Sequence, residues 1–174
     1  MDWYAPIARH LTVPLAARLE GKRYLGRMPE VRAVEQLSPQ GLLDYQWELL
    51  RELIHHAYEN TPFYRARFAE AGITPEAIRS ADELKLLPPL GKDEIRAHVG
   101  EMTARNLPET DLVADATGGT TGLPMRFYRN WRCLSYRAAL TEVFDGWYGK
   151  RIGDRMALVW GARQDYPTFA RLKS

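Results

Sequence analysis

At 174 residues and 20.0 kDa the chain has room for one domain, or a domain with a small appendage, and not for two full enzyme domains. A composition of 45% apolar, 11% aromatic and 26% charged residues excludes a disordered tail, a collagen-like fibre and a membrane bundle. The net charge is only +2 and acidic residues are interspersed among the 24 basic ones, so no face basic enough to argue for nucleic acid is legible.

The N-terminal apolar stretch from Trp3 to Leu15 is interrupted by Arg9 and His10 and closed by Arg18 and Glu20. It is too short and too charged to span a bilayer or to serve as a secretory core. Its pattern fits an amphipathic helix, for which packing against the rest of the protein is the first expectation and a membrane surface the second.

Ser38 followed by Pro39 reads as an N-cap with proline at the first helical position. Leu43, Trp47, Leu50, Ile54 and Ala57 then recur at spacings of four and three, which predicts one long helix from about Pro39 to Glu59. Thr61-Pro62 repeats the signal after a sharp corner, and the second helix ends at Gly72, a residue suited to the left-handed conformation. Thr74-Pro75 opens a short helical piece, and Ser80 to Glu83 has the capping-box pattern before Leu87-Pro88-Pro89 ends it. A further helix begins after Gly91 with Lys92-Asp93-Glu94, where Lys92 reads as a solvated surface charge.

Near residue 110 the texture changes. Leu112 to Ala116 reads as a strand, the following run is turn-rich, and Met125 to Tyr128 alternates like a returning strand. Asn130 is placed to cap a helix whose apolar face would comprise Leu134, Ala138, Leu140, Val143, Phe144 and Trp147, ended by Gly149 or Gly153. Arg155 to Trp160 reads as a buried strand. The expected organisation is a helical region, 1–108, followed by the incomplete opening of an α/β domain, 109–174. No internal repeat or low-complexity stretch is present.

The informative string is Thr117-Gly118-Gly119-Thr120-Thr121-Gly122-Leu123-Pro124, between two short strands. Three glycines let successive backbone N–H groups converge on one point and three threonines add hydroxyl donors, so the loop can wrap an anion such as a polyphosphate. Composition alone leaves an ordinary Gly/Thr-rich hairpin turn equally open. The string lacks the Gly-Lys-Ser/Thr ending of a Walker A loop, and it lacks the G-x-G-x-x-G spacing and following helix of a dinucleotide fingerprint.

Thr117 to Pro124 resembles the phosphate-loop signature of adenylate-forming enzymes, [ST]-[SG]-G-[ST]-T-G-x-P, in the form used by phenylacetate-coenzyme A ligases and the capsular-polysaccharide branch of that AMP-binding family. The blocks His56 to Arg65, Leu87 to Arg96, Phe127 to Asn130 and Gly153 to Arg155 fall in the family's order, so that the resemblance covers roughly residues 40 to 161. It implies the helix-rich N-terminal portion of the adenylate-forming fold, with only the first strands of the sheet in this chain. It further implies ATP-dependent activation of a small-molecule carboxylic acid as an acyl-adenylate, followed by transfer to a thiol such as coenzyme A.

On the same resemblance Thr117, Gly118, Gly119, Thr120, Thr121, Gly122 and Pro124 would cradle the phosphates of ATP. Arg126 is the nearest cation, since Leu123 and Met125 flank the proline. The ligand for magnesium, the acyl pocket and the mobile catalytic lysine of such enzymes would lie downstream of Ser174. The chain then reads as an N-terminal section unable to complete the reaction alone, with an uncovered apolar surface around Val159, Trp160 and the helix after Asn130. The alternative is a non-catalytic helical interaction module in which the Gly/Thr loop is structural.

The remaining residues of chemical interest have simpler roles. One cysteine, Cys133, can form no intrachain disulfide; it reads as a small buried hydrophobe and points to the cytoplasm. His55 and His56 are helix neighbours about 100° apart and cannot grip one metal ion together. Tyr58, Phe63, Tyr64 and Phe68 read as a contact between two helices with Arg65 and Arg67 outward, and Trp147 and Trp160 read as core.

Overall fold

A computed structural model describes residues 3–19, 24–117 and 125–155. It is helix-rich, with one small antiparallel sheet. The elements are α1 (Tyr4–Ile7), a π-helical segment (Ala8–Thr12), α2 (Val13–Leu19), α3 (Tyr24–Val34), α4 (Pro39–Asn60), α5 (Pro62–Glu70), α6 (Lys92–His98), β1 (Leu112–Ala116), β2 (Arg126–Asn130) and α7 (Trp131–Trp147). Short 3-10 turns occupy Pro75–Ala77, Ala81–Leu86 and Glu109–Asp111.

α4 starts as its sequence dictates: Ser38 Oγ accepts from the Gly41 N–H at 3.1 Å, with Pro39 in the first turn. The residue before a proline is pushed out of helical space, and Thr61, at φ −122° and ψ 125°, makes the corner into α5. Its hydroxyl caps nothing, contrary to the Thr-Pro reading, and instead donates back to Ala57 O at 2.6 Å. α5 ends in a Schellman arrangement: Gly72 sits at φ +67° while the Ile73 N–H reaches Phe68 O at 3.1 Å. At Ser80 the box does not form: Ser80 makes no cap, and Glu83 accepts from the Arg79 N–H, one residue before the N-cap.

Two small cores result. Ile54, Phe68 and Ile78 are buried together, with Trp47, Leu50, Tyr58, Ile73 and Leu87 packed around them, and Tyr58 meets Phe68 edge to face at 5.3 Å. Tyr58 and Phe68 thus make the expected contact between the two helices, whereas Phe63 meets Tyr64 beside it and His98 of α6, at 5.3 Å. Leu43, however, points out of this core. Arg67 is not outward either: its side chain is largely covered, donates to Glu94 and to the Pro88 carbonyl, and lies 5.5 Å from the Phe63 ring centre. The prolines explain the change, because the irregular segment around Pro88 and Pro89 leaves carbonyls that need a donor.

The second core joins distant parts of the chain. Met28 and Val31 of α3 pack against Ala139 and Val143 of α7, with Tyr24, Leu25, Tyr136 and Ile152 at the margin. Ala139 is fully buried, and its small side chain lets the two helices approach. This seam corrects the expected face of α7. Leu140, Phe144 and Trp147 are exposed, and the Trp147 indole donates to Glu35 at the surface, so Trp147 is no core residue. Cys133 is likewise exposed, in the first turn of α7 beyond the seam. The chain reverses after the helix through Gly149 at φ +84°.

The N-terminal helices reverse the expectation of inward packing. Ala8 and Ala17 are buried, and the large apolar side chains face out. Arg9 fixes this orientation, donating from Nε to Ile152 O at 2.9 Å and from Nη2 to Asp154 Oδ1 at 3.1 Å. The strand expected over Arg155 to Trp160 lies outside the described residues except for Arg155, as do Val159 and Trp160.

Candidate functional site

β1 and β2 pair in antiparallel register from Leu112↔Asn130 to Ala116↔Arg126, so the Gly/Thr string is the connection of a hairpin. Thr117 closes its neck. The Thr117 N–H donates to Met125 O at 3.0 Å, and Thr117 Oγ1 accepts from the Met125 N–H at 3.1 Å. Gly118, Gly119, Thr120, Thr121, Gly122, Leu123 and Pro124 lie outside the described residues.

Side chains alternate across the ribbon, so position relative to the neck decides which ones can reach a bound group. Val113, Asp115 and Thr117 share a face with Arg129, Phe127 and Met125, while Ala114 and Ala116 share the opposite one with Tyr128 and Arg126. On the first face Arg129 Nη2 pairs with Asp115 Oδ2 at 2.8 Å and its guanidinium lies 4.9 Å from the Phe127 ring centre. That pair braces the two strands. Arg126, nearest the loop, is exposed and has no ion-pair partner among the described residues.

The far end of β2 runs directly into α7, where Asn130 Oδ1 accepts from the Cys133 N–H at 2.8 Å. Five strand residues separate this helix start from the neck, roughly 17 Å at the usual rise, so the positive end of α7 does not serve the loop as it would in a Walker A site. Among the described residues the cation nearest the neck is Arg126. Asp115 and Arg129 are diagonal neighbours across the ribbon, a pairing set by the register of the two strands.

Beneath the hairpin a cleft of about 350 Å³ is lined by Val99, Met102, Leu107, Leu112, Phe127 and Cys133. A larger groove of about 900 Å³ runs between α3, α4 and α7, with Leu42, Leu49, Leu53, Phe144 and Trp147 along it. It agrees with the expected apolar surface around α7. Among the described residues no group of three or more His, Cys, Asp or Glu is placed to hold a metal ion, and His55 lies 3.9 Å from Glu76 rather than converging with His56 on a common point. No described helix is long and apolar enough to cross a membrane.

No family model matches the chain. It is 38% identical over 139 residues to a phenylacetate-coenzyme A ligase of Pseudomonas putida, covering 74% of this chain and 29% of that protein. It is 33% identical over 91 residues to the phenylacetate-coenzyme A ligase of Escherichia coli strain K12, covering 52% of this chain and 21% of the relative. Protein CapK of Staphylococcus aureus is 26% identical over 122 residues, covering 70% of this chain and 26% of its own. The chain thus spans less than a third of the length of these curated relatives. On these similarities the chain belongs to the phenylacetate-coenzyme A ligase-like family.

Proposed function

We propose that this chain is the N-terminal section of an ATP-dependent carboxylate-activating ligase, its Gly/Thr hairpin loop serving as the phosphate cradle. In this reading residues 109–174 open the nucleotide-binding part of the adenylate-forming fold and residues 1–108 form the helical part, with the α3–α7 seam fastening the two. ATP supplies the electrophile. A carboxylate oxygen attacks the α-phosphorus, the bond to the β-phosphate oxygen breaks and pyrophosphate leaves; a thiol such as coenzyme A then attacks the acyl carbon and gives up its proton, the acyl–oxygen bond breaks, and AMP leaves.

The observation that carries the reading is the clasp at the neck of the loop. With Thr117 and Met125 holding each other at both backbone positions, the ends of the Gly118–Pro124 segment are fixed before a ligand arrives. A cradle with fixed ends loses less conformational entropy on binding. Loop N–H groups and the Thr120 and Thr121 hydroxyls would donate to the phosphates, offsetting charge that grows as pyrophosphate departs. Arg126 follows the clasp on the open face of the ribbon, where an anion can reach it without breaking an ion pair. The Asp115–Arg129 brace holds the ribbon beneath. Magnesium is assigned to no residue described here.

The clasp itself gives a test separate from the cradle. In the polypeptide that carries this chain, Thr117→Val removes the oxygen that accepts from Met125 and leaves the neck held by the single backbone bond from Thr117 N–H to Met125 O. The expected result is a raised KM for ATP with little change in the thermal melt. An unchanged KM would remove the neck from the account.

A further inference from the structure

The large apolar side chains of the N-terminal helices lie at an unbroken spacing of four: Trp3, Ile7, Leu11, Leu15 and Leu19. They are 71%, 46%, 62%, 52% and 79% exposed, in that order. In an ideal helix a spacing of four drifts by ~40° per step, so five such residues would wind around the rod. Here the segment Ala8–Thr12 is π-helical, and its wider turn takes up part of the drift. All five are exposed, and at the helical rise they form a stripe roughly 24 Å long.

The ridge is held outward by the other side of the same helices. Ala8 and Ala17 are buried, Arg9 is anchored to Ile152 and Asp154, and Gly153 lies so close that a Cβ there would sit 2.7 Å from Arg9 N. The Arg155 guanidinium, 4.8 Å from the Tyr4 ring centre, adds a contact at the start of α1. A helix of an ordinary soluble domain buries its large side chains and exposes its small ones; this one does the reverse.

Charge indicates what the ridge meets. Through the end of α3 the chain carries six Lys/Arg (Arg9, Arg18, Lys22, Arg23, Arg27, Arg32) against three acids (Asp2, Glu20, Glu30), leaving eighteen against nineteen for the remainder. The first 34 residues therefore carry a net +3 against −1 for the rest, and among the described ones Arg18 stands exposed on α2 itself while Arg9 is paired inward with Asp154. A second copy of the chain docked ridge to ridge would oppose like charges, whereas an anionic lipid surface accepts the apolar side chains and attracts the cations together. Trp3 and Tyr4 at one end suit the boundary between headgroup and acyl chain. The helices are too short to span.

We propose that residues 3–19 form a docking ridge for anionic membrane surfaces, lying in the interface plane with Trp3, Ile7, Leu11, Leu15 and Leu19 inserted. This surface is independent of the ligase reading, and its test uses no activity. The chain is sedimented with vesicles of phosphatidylcholine alone and with vesicles of phosphatidylcholine mixed with phosphatidylserine. The expected result is binding to the mixed vesicles that weakens as salt is raised.

Leu11→Glu/Leu15→Glu should lower the partition coefficient by roughly tenfold or more, and Leu11→Ala/Leu15→Ala by less in the same direction. Both positions changed are exposed, so the alanine pair keeps the test valid should the glutamates disturb folding. Failure of the parent chain to sediment with mixed vesicles would overturn the proposal. So would equal binding to both vesicle types, or binding that neither double variant reduces. A dimer seen by light scattering that the glutamate pair dissociates, with no vesicle binding, would replace it with self-association.

Discussion

Three glycines within eight residues, Gly146, Gly149 and Gly153, provide a graded test of how the N-terminal helices are fastened. Gly146 lies in α7 and a Cβ there meets nothing within 4 Å, so Gly146→Ala should stabilise by about 0.5–1 kcal/mol through helix propensity. Gly149 has φ +84° and open space, and Gly149→Ala should cost only the left-handed penalty, about 1–2 kcal/mol. Gly153 combines φ +89° with a Cβ position 2.7 Å from Arg9 N and 3.1 Å from both Ala5 O and Ala8 C. Those neighbours are helix backbone and cannot swing aside as a side-chain tip would. Displacing them strains or breaks the two Arg9 hydrogen bonds, at about 1 kcal/mol each, so Gly153→Ala should cost about 3–4 kcal/mol. At ~2–4 °C per kcal/mol for a chain of this size, the melting temperatures should fall in the order Gly146→Ala, parent, Gly149→Ala, Gly153→Ala, with the last lower by roughly 6–16 °C. Equal losses for Gly149→Ala and Gly153→Ala would refute the close approach of α1 to this turn.

Phe68, the largest fully buried side chain, should cost about 3–5 kcal/mol when changed to alanine, measured by urea unfolding. Ser38→Ala removes the acceptor at the start of α4 and should cost about 1 kcal/mol, whereas Ser38→Asp should restore most of it. The Asp145 carboxylate, with Glu142 behind it, holds the Lys150 ammonium above its ordinary value of 10.5. The folded state therefore binds this proton more tightly than the unfolded chain, and the resulting stabilisation is complete below pH 10.5 and lost as the pH rises through the folded value. Asp145→Asn should flatten the alkaline limb of a melting-temperature profile above pH 10 while adding no new dependence near neutrality.

Boundaries were legible wherever a single residue decides a backbone conformation. Ser38-Pro39, Thr61-Pro62, Gly72, Asn130 and Gly149 each mark a start or stop that is found in place, because caps, pre-proline restriction and left-handed glycines act over one or two residues. What was not legible is which side of a helix faces in. Periodicity announces a stripe on α7 and another on the N-terminal helices, but Ala139 and Ala8 won the interior because small side chains allow close approach to α3 and to the Gly153 turn. Arg67 turned inward for carbonyls left by Pro88 and Pro89, a demand that arises only once two irregular segments meet. At the candidate site the hairpin was readable from its strands and turn residues, whereas the Asp115–Arg129 brace needed the register.

The proposed phosphate cradle is tested most directly at the two adjacent threonines of its loop, Thr120 and Thr121. The measurement is acid-dependent pyrophosphate release by the polypeptide that carries this chain, across a panel of carboxylic acids, with Thr120→Ala/Thr121→Ala compared with its parent beside a thermal melt of each. In the proposed cradle the two hydroxyls donate to the departing pyrophosphate, and their loss should lower the adenylation step by about 30-fold to 1,000-fold with an unchanged melting temperature. Pyrophosphate release at the parental rate in the double variant would contradict the account and leave the loop an ordinary turn.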